Sequence, residues 1–91
     1  MNTYLTGINA EKLAIDYFRQ REFNIIATRY QTKFGEVDLI VSKDRNLSFV
    51  EVKARLTLEQ AIYSLTRRQQ LRIMDAAQYF LVNRPQFEQY N

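Results

Sequence analysis

Cysteine, histidine and tryptophan are all missing from this 91-residue chain. Without cysteine there is no disulfide, zinc ribbon, thiol nucleophile or iron–sulfur cluster. Without histidine the usual neutral-pH general base is gone, together with His-ligated metals and His-containing triads. Chemistry must come from carboxylates, Lys, Tyr, Ser or Thr. With two Gly and one Pro, no linker, repeat or low-complexity segment divides the chain, and residues 1–91 read as a single domain. That length is near the lower limit for an independent core, so a partner or a metal would help. No run approaches the ~20 apolar residues of a membrane span. Met1–Ala10 has neither the basic patch nor the apolar run of a secretory signal. A cytoplasmic protein with no membrane partner is the expectation.

What is present is an uneven charge. The net charge is +3 at pH 7. Residues 1–51 carry seven basic and seven acidic side chains, whereas residues 52–91 carry six basic and three acidic. The excess centres on Lys53, Arg55, Arg67, Arg68 and Arg72. Such a cluster suits a polyphosphate ligand. Taken alone, it better suits a solvated helix face.

Periodicity predicts a helix over Thr6–Gln20, with Ile8, Ala14, Ile15 and Phe18 on one arc. Glu11 projects into the middle of that arc, where an acid needs a partner or must reach outward. Phe23–Tyr30 reads as a strand and Thr32–Gly35 as a turn. Glu36–Ser42 and Leu47–Lys53 read as two strands joined by the polar Lys43–Asn46 into an antiparallel hairpin. The remainder reads as helical. Thr57 with Gln60 and Thr66 with Gln69 offer capping boxes, Gln69, Ile73, Ala76, Ala77 and Phe80 form a stripe, and Pro85 ends it. Tyr17, Phe18, Tyr79 and Phe80 are expected to pack in the core, while Tyr30, Phe87 and Tyr90 are left unassigned.

If Ser42 pairs with Leu47, Asp38 faces Glu51 and Glu36 faces Lys53. Simple alternation then puts these four on one face and Val37, Leu39, Val41, Val50 and Val52 on the other. Directly opposed carboxylates repel unless a cation sits between them. Asp38 and Glu51 therefore form a candidate site for a hard cation such as Mg²⁺, which keeps positions open for water and phosphate. Lys53 projects from the same face, where it could orient a metal-bound water or stabilise phosphate charge. Glu11 could reach the site from the preceding helix. The same residues also fit an amphipathic hairpin whose polar face is simply wet, with Glu36–Lys53 an ordinary ion pair.

Asp38 followed by Glu51-Val52-Lys53, after a helix bearing Glu11, resembles the PD-(D/E)XK nuclease core. The finer pattern runs through Gly7, Glu11, Ala14 and Tyr17-Phe18 to Gly35-Glu36-Val37-Asp38-Leu39-Ile40. It continues in Phe49-Val50-Glu51-Val52-Lys53-Ala54-Arg55, and then in Ala76-Ala77, Tyr79 and Leu81. This pattern, over roughly residues 7–81, is similar to the YraN-like family of uncharacterised proteins, whose core resembles archaeal Holliday-junction resolvases. The resemblance implies an α/β, restriction-endonuclease-like core with an N-terminal helix, a central β-hairpin in a mixed sheet and a C-terminal helix. It also implies a metal-dependent endonuclease with Glu11, Asp38, Glu51 and Lys53 at the catalytic positions. Two departures stand out. Gln69, beside Arg68, occupies a position where the family usually has Lys, and a last strand with an Arg-Phe-Asp motif has no equivalent before Asn91. An open sheet edge of that kind invites dimerisation, so a homodimer is expected.

The leading expectation is hydrolysis of phosphodiester bonds in structured or branched DNA. Asp38, Glu51 and Glu11 would hold Mg²⁺ or Mn²⁺. Arg55, Arg67, Arg68, Gln69 and Arg72 would line the nucleic-acid side, the arginines binding phosphates without reading sequence. The alternatives are a nucleic-acid-binding module of the same fold without turnover, and a protein-interaction module using the sheet edge.

Overall fold

The computed structural model describes residues 3–52 and 67–91, with side chains from Ala10 onward. Helix α1 spans Thr3–Gln20, strands β1, β2 and β3 span Asn24–Gln31, Glu36–Lys43 and Asn46–Val50, and helix α2 spans Arg67–Val82. A single 3₁₀ turn, Pro85–Phe87, follows. The architecture is α/β: two helices and one three-stranded sheet in the order β1-β2-β3. Among the described residues the sheet is antiparallel throughout rather than mixed. No helix among them is long and apolar enough to cross a membrane.

Helix α1 begins earlier than the periodicity suggested and ends in a Schellman motif. The amide of Glu22 donates to the carbonyl of Arg19 at 3.0 Å, and that of Phe23 to the carbonyl of Phe18 at 3.0 Å. Glu22 takes the left-handed φ of 65° that this cap demands. The Phe18 and Phe23 rings meet edge-on at 5.1 Å, closing the cap with an apolar contact. Lys43 Nζ adds a bond to the Arg21 carbonyl at 2.7 Å, which ties the end of α1 to the end of β2.

The hairpin register is the one the sequence predicted, with Ser42 opposite Leu47. The turn itself is tighter than four residues. Lys43 pairs with Asn46, leaving Asp44 and Arg45 at φ 52° and 66° as a two-residue turn of the I′ kind. The β1–β2 turn is built around Thr32, whose Oγ1 accepts from the amides of Phe34 and Gly35 at 3.1 and 3.0 Å.

β2 is central and is covered on both faces. Leu39 lies on the side of α1, lining a cleft with Glu11 and Ile15. Ile40 lies on the side of α2, in a buried cluster with Phe80 and Val37. Leu39, Ile40, Val41 and Ser42 are all buried, so one face of this hairpin is not simply wet. Strict alternation also fails. Val37 and Ile40 share the Phe80 cluster, while Asp38 and Leu39 share the cleft on the α1 side. The paired residues of β1 follow suit, since Tyr30 packs on Phe80 at 5.4 Å while Thr28 lines the cleft. The interruption falls where Arg29 adopts a φ of 49°. The expected single apolar face from Val37 through Val41 is corrected accordingly.

The core centres on Phe80, against which the rings of Tyr30, Phe49 and Phe87 pack. Phe87 in turn meets Tyr90 at 4.9 Å. Of the three aromatic residues that periodicity left unassigned, Tyr30 and Phe87 pack against the core, the latter brought there by the 3₁₀ turn after α2, and Tyr90 packs on Phe87. Two residues expected in the core do not lie there. Tyr17 and Tyr79 are 50% and 41% exposed, although the Tyr79 ring meets that of Phe34 at 5.8 Å.

The predicted third strand is shorter than expected. β3 ends at Val50, so Glu51 and Val52 lie just past the ladder, and Lys53 lies outside the described residues. So do both Thr57–Gln60 and the Thr66 cap. The outer edge of β3 is partly paired: Leu47 donates to the Asn91 carbonyl and Asn91 to the Arg45 carbonyl, each at 3.0 Å.

Candidate functional site

Asp38 is half-buried on the central strand. Its Oδ2 accepts the amide of Val52 at 3.0 Å, so the chain leaving β3 is held against it. The paired ladder ends at Leu39–Val50, and Glu51, half-buried, is the next residue beyond it. Asp38 and Glu51 are each one residue past that last pair, so their expected direct opposition lies beyond the ladder.

Glu11 arrives from α1, 28% exposed. It lines a narrow cleft with Ile15, Thr28, Asp38, Leu39 and Val52. The cleft has a volume of about 10 Å³, roughly the room of one water molecule. Its carboxylate, however, is turned to a cation that sequence reasoning missed. Arg29 Nε donates to Glu11 Oε2 at 2.8 Å. The ladder pairs Thr28 with Leu39 and Tyr30 with Val37, so Arg29 sits directly across from Asp38. The available signal was Glu11 itself, an acid on an apolar arc that required a partner. Nothing in the strand-like run around Arg29 named it as that partner.

The donor chemistry suits a hard cation, since Glu11, Asp38 and Glu51 offer only carboxylate oxygens. The arrangement is less complete. Among the described residues, no three acidic side chains gather closely enough to share one ion. Glu11 is engaged by Arg29 and Asp38 by the Val52 amide. Lys53 and Arg55 lie outside the described residues.

The basic side chains of α2 are placed by Gly35. A Cβ on Gly35 would stand 1.9 Å from the carbonyl oxygen of Arg72. The absence of a side chain thus lets the first turns of α2 rest on the chain just before Glu36, three residues from Asp38. Arg67, Arg68 and Arg72 are exposed and Gln69 is half-buried. Arg68 and Arg72, one turn apart, share a helix face. The larger grooves, about 420 and 450 Å³, surround Val82 at the far end of α2 and include none of Glu11, Asp38 and Glu51.

A family profile described as "Uncharacterised protein family UPF0102" matches residues 10–90. A UPF0102 protein of Bradyrhizobium diazoefficiens is 42% identical over 87 residues, covering 96% of this chain and 65% of that relative. One from Rhodopseudomonas palustris strain BisB18 is 46% identical over 83 residues, covering 91% and 62%. One from Nitrobacter winogradskyi is 42% identical over 84 residues, covering 92% and 71%. The chain spans about two thirds of the length of these relatives.

Proposed function

The chain belongs to the uncharacterised protein family UPF0102, and from its acidic cleft we propose that it is a metal-dependent nuclease hydrolysing phosphodiester bonds in structured or branched DNA. The observation that carries this reading is the convergence of Asp38 and Glu11, from β2 and α1, on one narrow cleft. Acids from separate elements are rarely brought together without a cation to share, because each repels the other. In this reading the core is restriction-endonuclease-like, of the PD-(D/E)XK type. Asp38, Glu51 and Glu11 would hold Mg²⁺ or Mn²⁺. When bound, the ion supplies an activated water and neutralises charge on the phosphate. Lys53 would orient the attacking water, and Arg55, Arg67, Arg68 and Arg72 would take backbone phosphates.

The test is cleavage of a labelled four-way junction with Mn²⁺ by the full chain and by Asp38→Asn, Glu51→Gln and Lys53→Ala. Cleavage lost in all three variants supports the reading. Tight junction binding without cleavage by the unaltered chain overturns it in favour of a binding module. The engagement of Glu11 by Arg29 is the observation that favours this second reading, since a structural ion pair needs no metal.

A further inference from the structure

Helix α2 carries a second feature along the side that meets the β1–β2 turn. Arg68, Arg72, Asp75 and Tyr79 recur at helical spacing and form one exposed stripe. The turn delivers Phe34 to that stripe, its ring 5.8 Å from the Tyr79 ring and tilted 48° from it. Phe34 is 53% exposed, so an apolar ring faces solvent at the tip of a turn. Its backbone is fixed from both sides. The Phe34 amide donates to Thr32 Oγ1 at 3.1 Å, and Gly35 is held against the Arg72 carbonyl. The two rings, with Asp75, Gln78, Val82 and Asn83, line a groove of about 420 Å³. Small-ligand sites run from ~300 to ~1,000 Å³.

Exposed aromatic rings on a pre-organised backbone mark a binding surface, and the charge around these two says for what. Lys33 Nζ lies 5.2 Å from the centre of the Phe34 ring. Arg72 and Arg68 carry the stripe on toward the start of α2. Cations beside exposed rings suit a ligand that alternates flat, apolar groups with anionic ones. A single-stranded nucleic acid does so, with bases that stack on rings and phosphates that pair with cations. Among the described residues, Asp75 is the one acid lining the groove. Its carboxylate and the Gln78 amide suit the N–H groups of a base edge.

We infer that Phe34 and Tyr79 form a stacking platform for the unpaired bases of single-stranded DNA, whose backbone follows Lys33, Arg72 and Arg68. The inference rests on the nucleic-acid part of the reading above and is independent of its metal. It names the part of a branched substrate that this face holds, the unpaired strand. A paired base offers no free face to a ring, so a duplex gains nothing from the platform.

The experiment is fluorescence anisotropy of the full chain with labelled oligothymidine, which forms no duplex of its own, and with a blunt DNA duplex. The unaltered chain is expected to bind oligothymidine more tightly than the duplex. Phe34→Leu and Tyr79→Leu are each expected to weaken oligothymidine binding about fivefold or more, and to change duplex binding less than about twofold. Their salt slopes should match that of the unaltered chain, because stacking releases no phosphate counterions. Phe34→Trp supplies a direct readout, since the chain has no tryptophan of its own. The introduced indole should be quenched as oligothymidine binds, with affinity kept. This variant keeps the test open should the leucine variants fold poorly. Leucine variants that bind oligothymidine like the unaltered chain, or an indole left unquenched at saturation, overturn the inference. Equal losses on single strand and duplex also overturn it, by showing a general effect on the fold. Self-association in sedimentation that the leucine variants abolish overturns it in favour of an interface between copies of the chain. Duplex bound without oligothymidine overturns it and leaves the nucleic-acid reading standing, whereas binding of neither removes both. Quenching by oligothymidine without junction cleavage in Mn²⁺ supports the platform and counts against the nuclease reading alone.

Discussion

Gly35 and the carbonyl of Arg72 are in contact so close that a Cβ on Gly35 would stand 1.9 Å from that oxygen. The contact is backbone against helix backbone, so no side-chain rotation can relieve it. Gly35→Ala must therefore push the first turns of α2 away from the start of β2, and a loss of ~2 kcal/mol or more is expected. Urea unfolding of the two proteins measures it. An unchanged midpoint would show that α2 moves away freely.

Asp38 allows structure and chemistry to be separated. Asp38→Ala takes away the acceptor for the Val52 amide, at an expected ~1–3 kcal/mol. Asp38→Asn keeps a side-chain oxygen for that amide, so its stability should stay within ~1 kcal/mol of the unaltered chain. Both variants should lose Mn²⁺ binding and junction cleavage. Thermal melts read alongside Mn²⁺ titrations check this. An asparagine variant that binds Mn²⁺ normally would remove Asp38 from the ligand set.

Much of this arrangement was legible in the sequence, for identifiable reasons. The Ser42–Leu47 register could be read because apolar residues flank a short polar turn, and this fixes which residues are opposed. The stripe of α2 could be read because Ala76 and Phe80 recur at helical spacing, and both are buried. The interruption at Asp38 could not. Left-handed backbone is signalled by Gly or Asn, and here it falls on Arg29. Without that signal, alternation put Val37 and Leu39 on one face. Tyr17 and Tyr79 were misjudged because a stripe shows which residues can be buried, and not how much of it a neighbouring element covers. Phe87, and Tyr90 behind it, escaped notice because the approach of Phe87 to Phe80 depends on a 3₁₀ turn with no apolar period of its own.

The tight hairpin turn makes a further prediction. Asp44 and Arg45 both hold positive φ, which Asn-Gly adopts more readily. The double change Asp44→Asn/Arg45→Gly should raise stability by ~1 kcal/mol without affecting Mn²⁺ affinity, since the turn lies at the opposite end of β2 from Asp38. Paired melts and titrations decide it. A drop in stability would mean that the Arg45 side chain contributes more than its backbone costs.

The arginines of α2 can be tested through salt. A contact with a phosphate releases condensed counterions, so the logarithm of affinity falls with the logarithm of salt concentration, by ~0.9 per contact on duplex DNA. Arg68 and Arg72 are exposed and share a helix face, and the backbone at Arg72 is anchored to Gly35 near the acidic cleft. If that face carries the nucleic acid, Arg68→Ala and Arg72→Ala should each reduce the slope for junction binding by about one. Their effects should add, because each removes its own phosphate contact. Arg84 stands apart from that face, with its guanidinium 5.1 Å from the centre of the Phe80 ring beyond the end of α2, and Arg84→Ala should leave the slope unchanged. Fluorescence anisotropy across a salt series measures all three. Equal slopes for every variant would place the nucleic acid away from α2 and leave its charge as a solvated face.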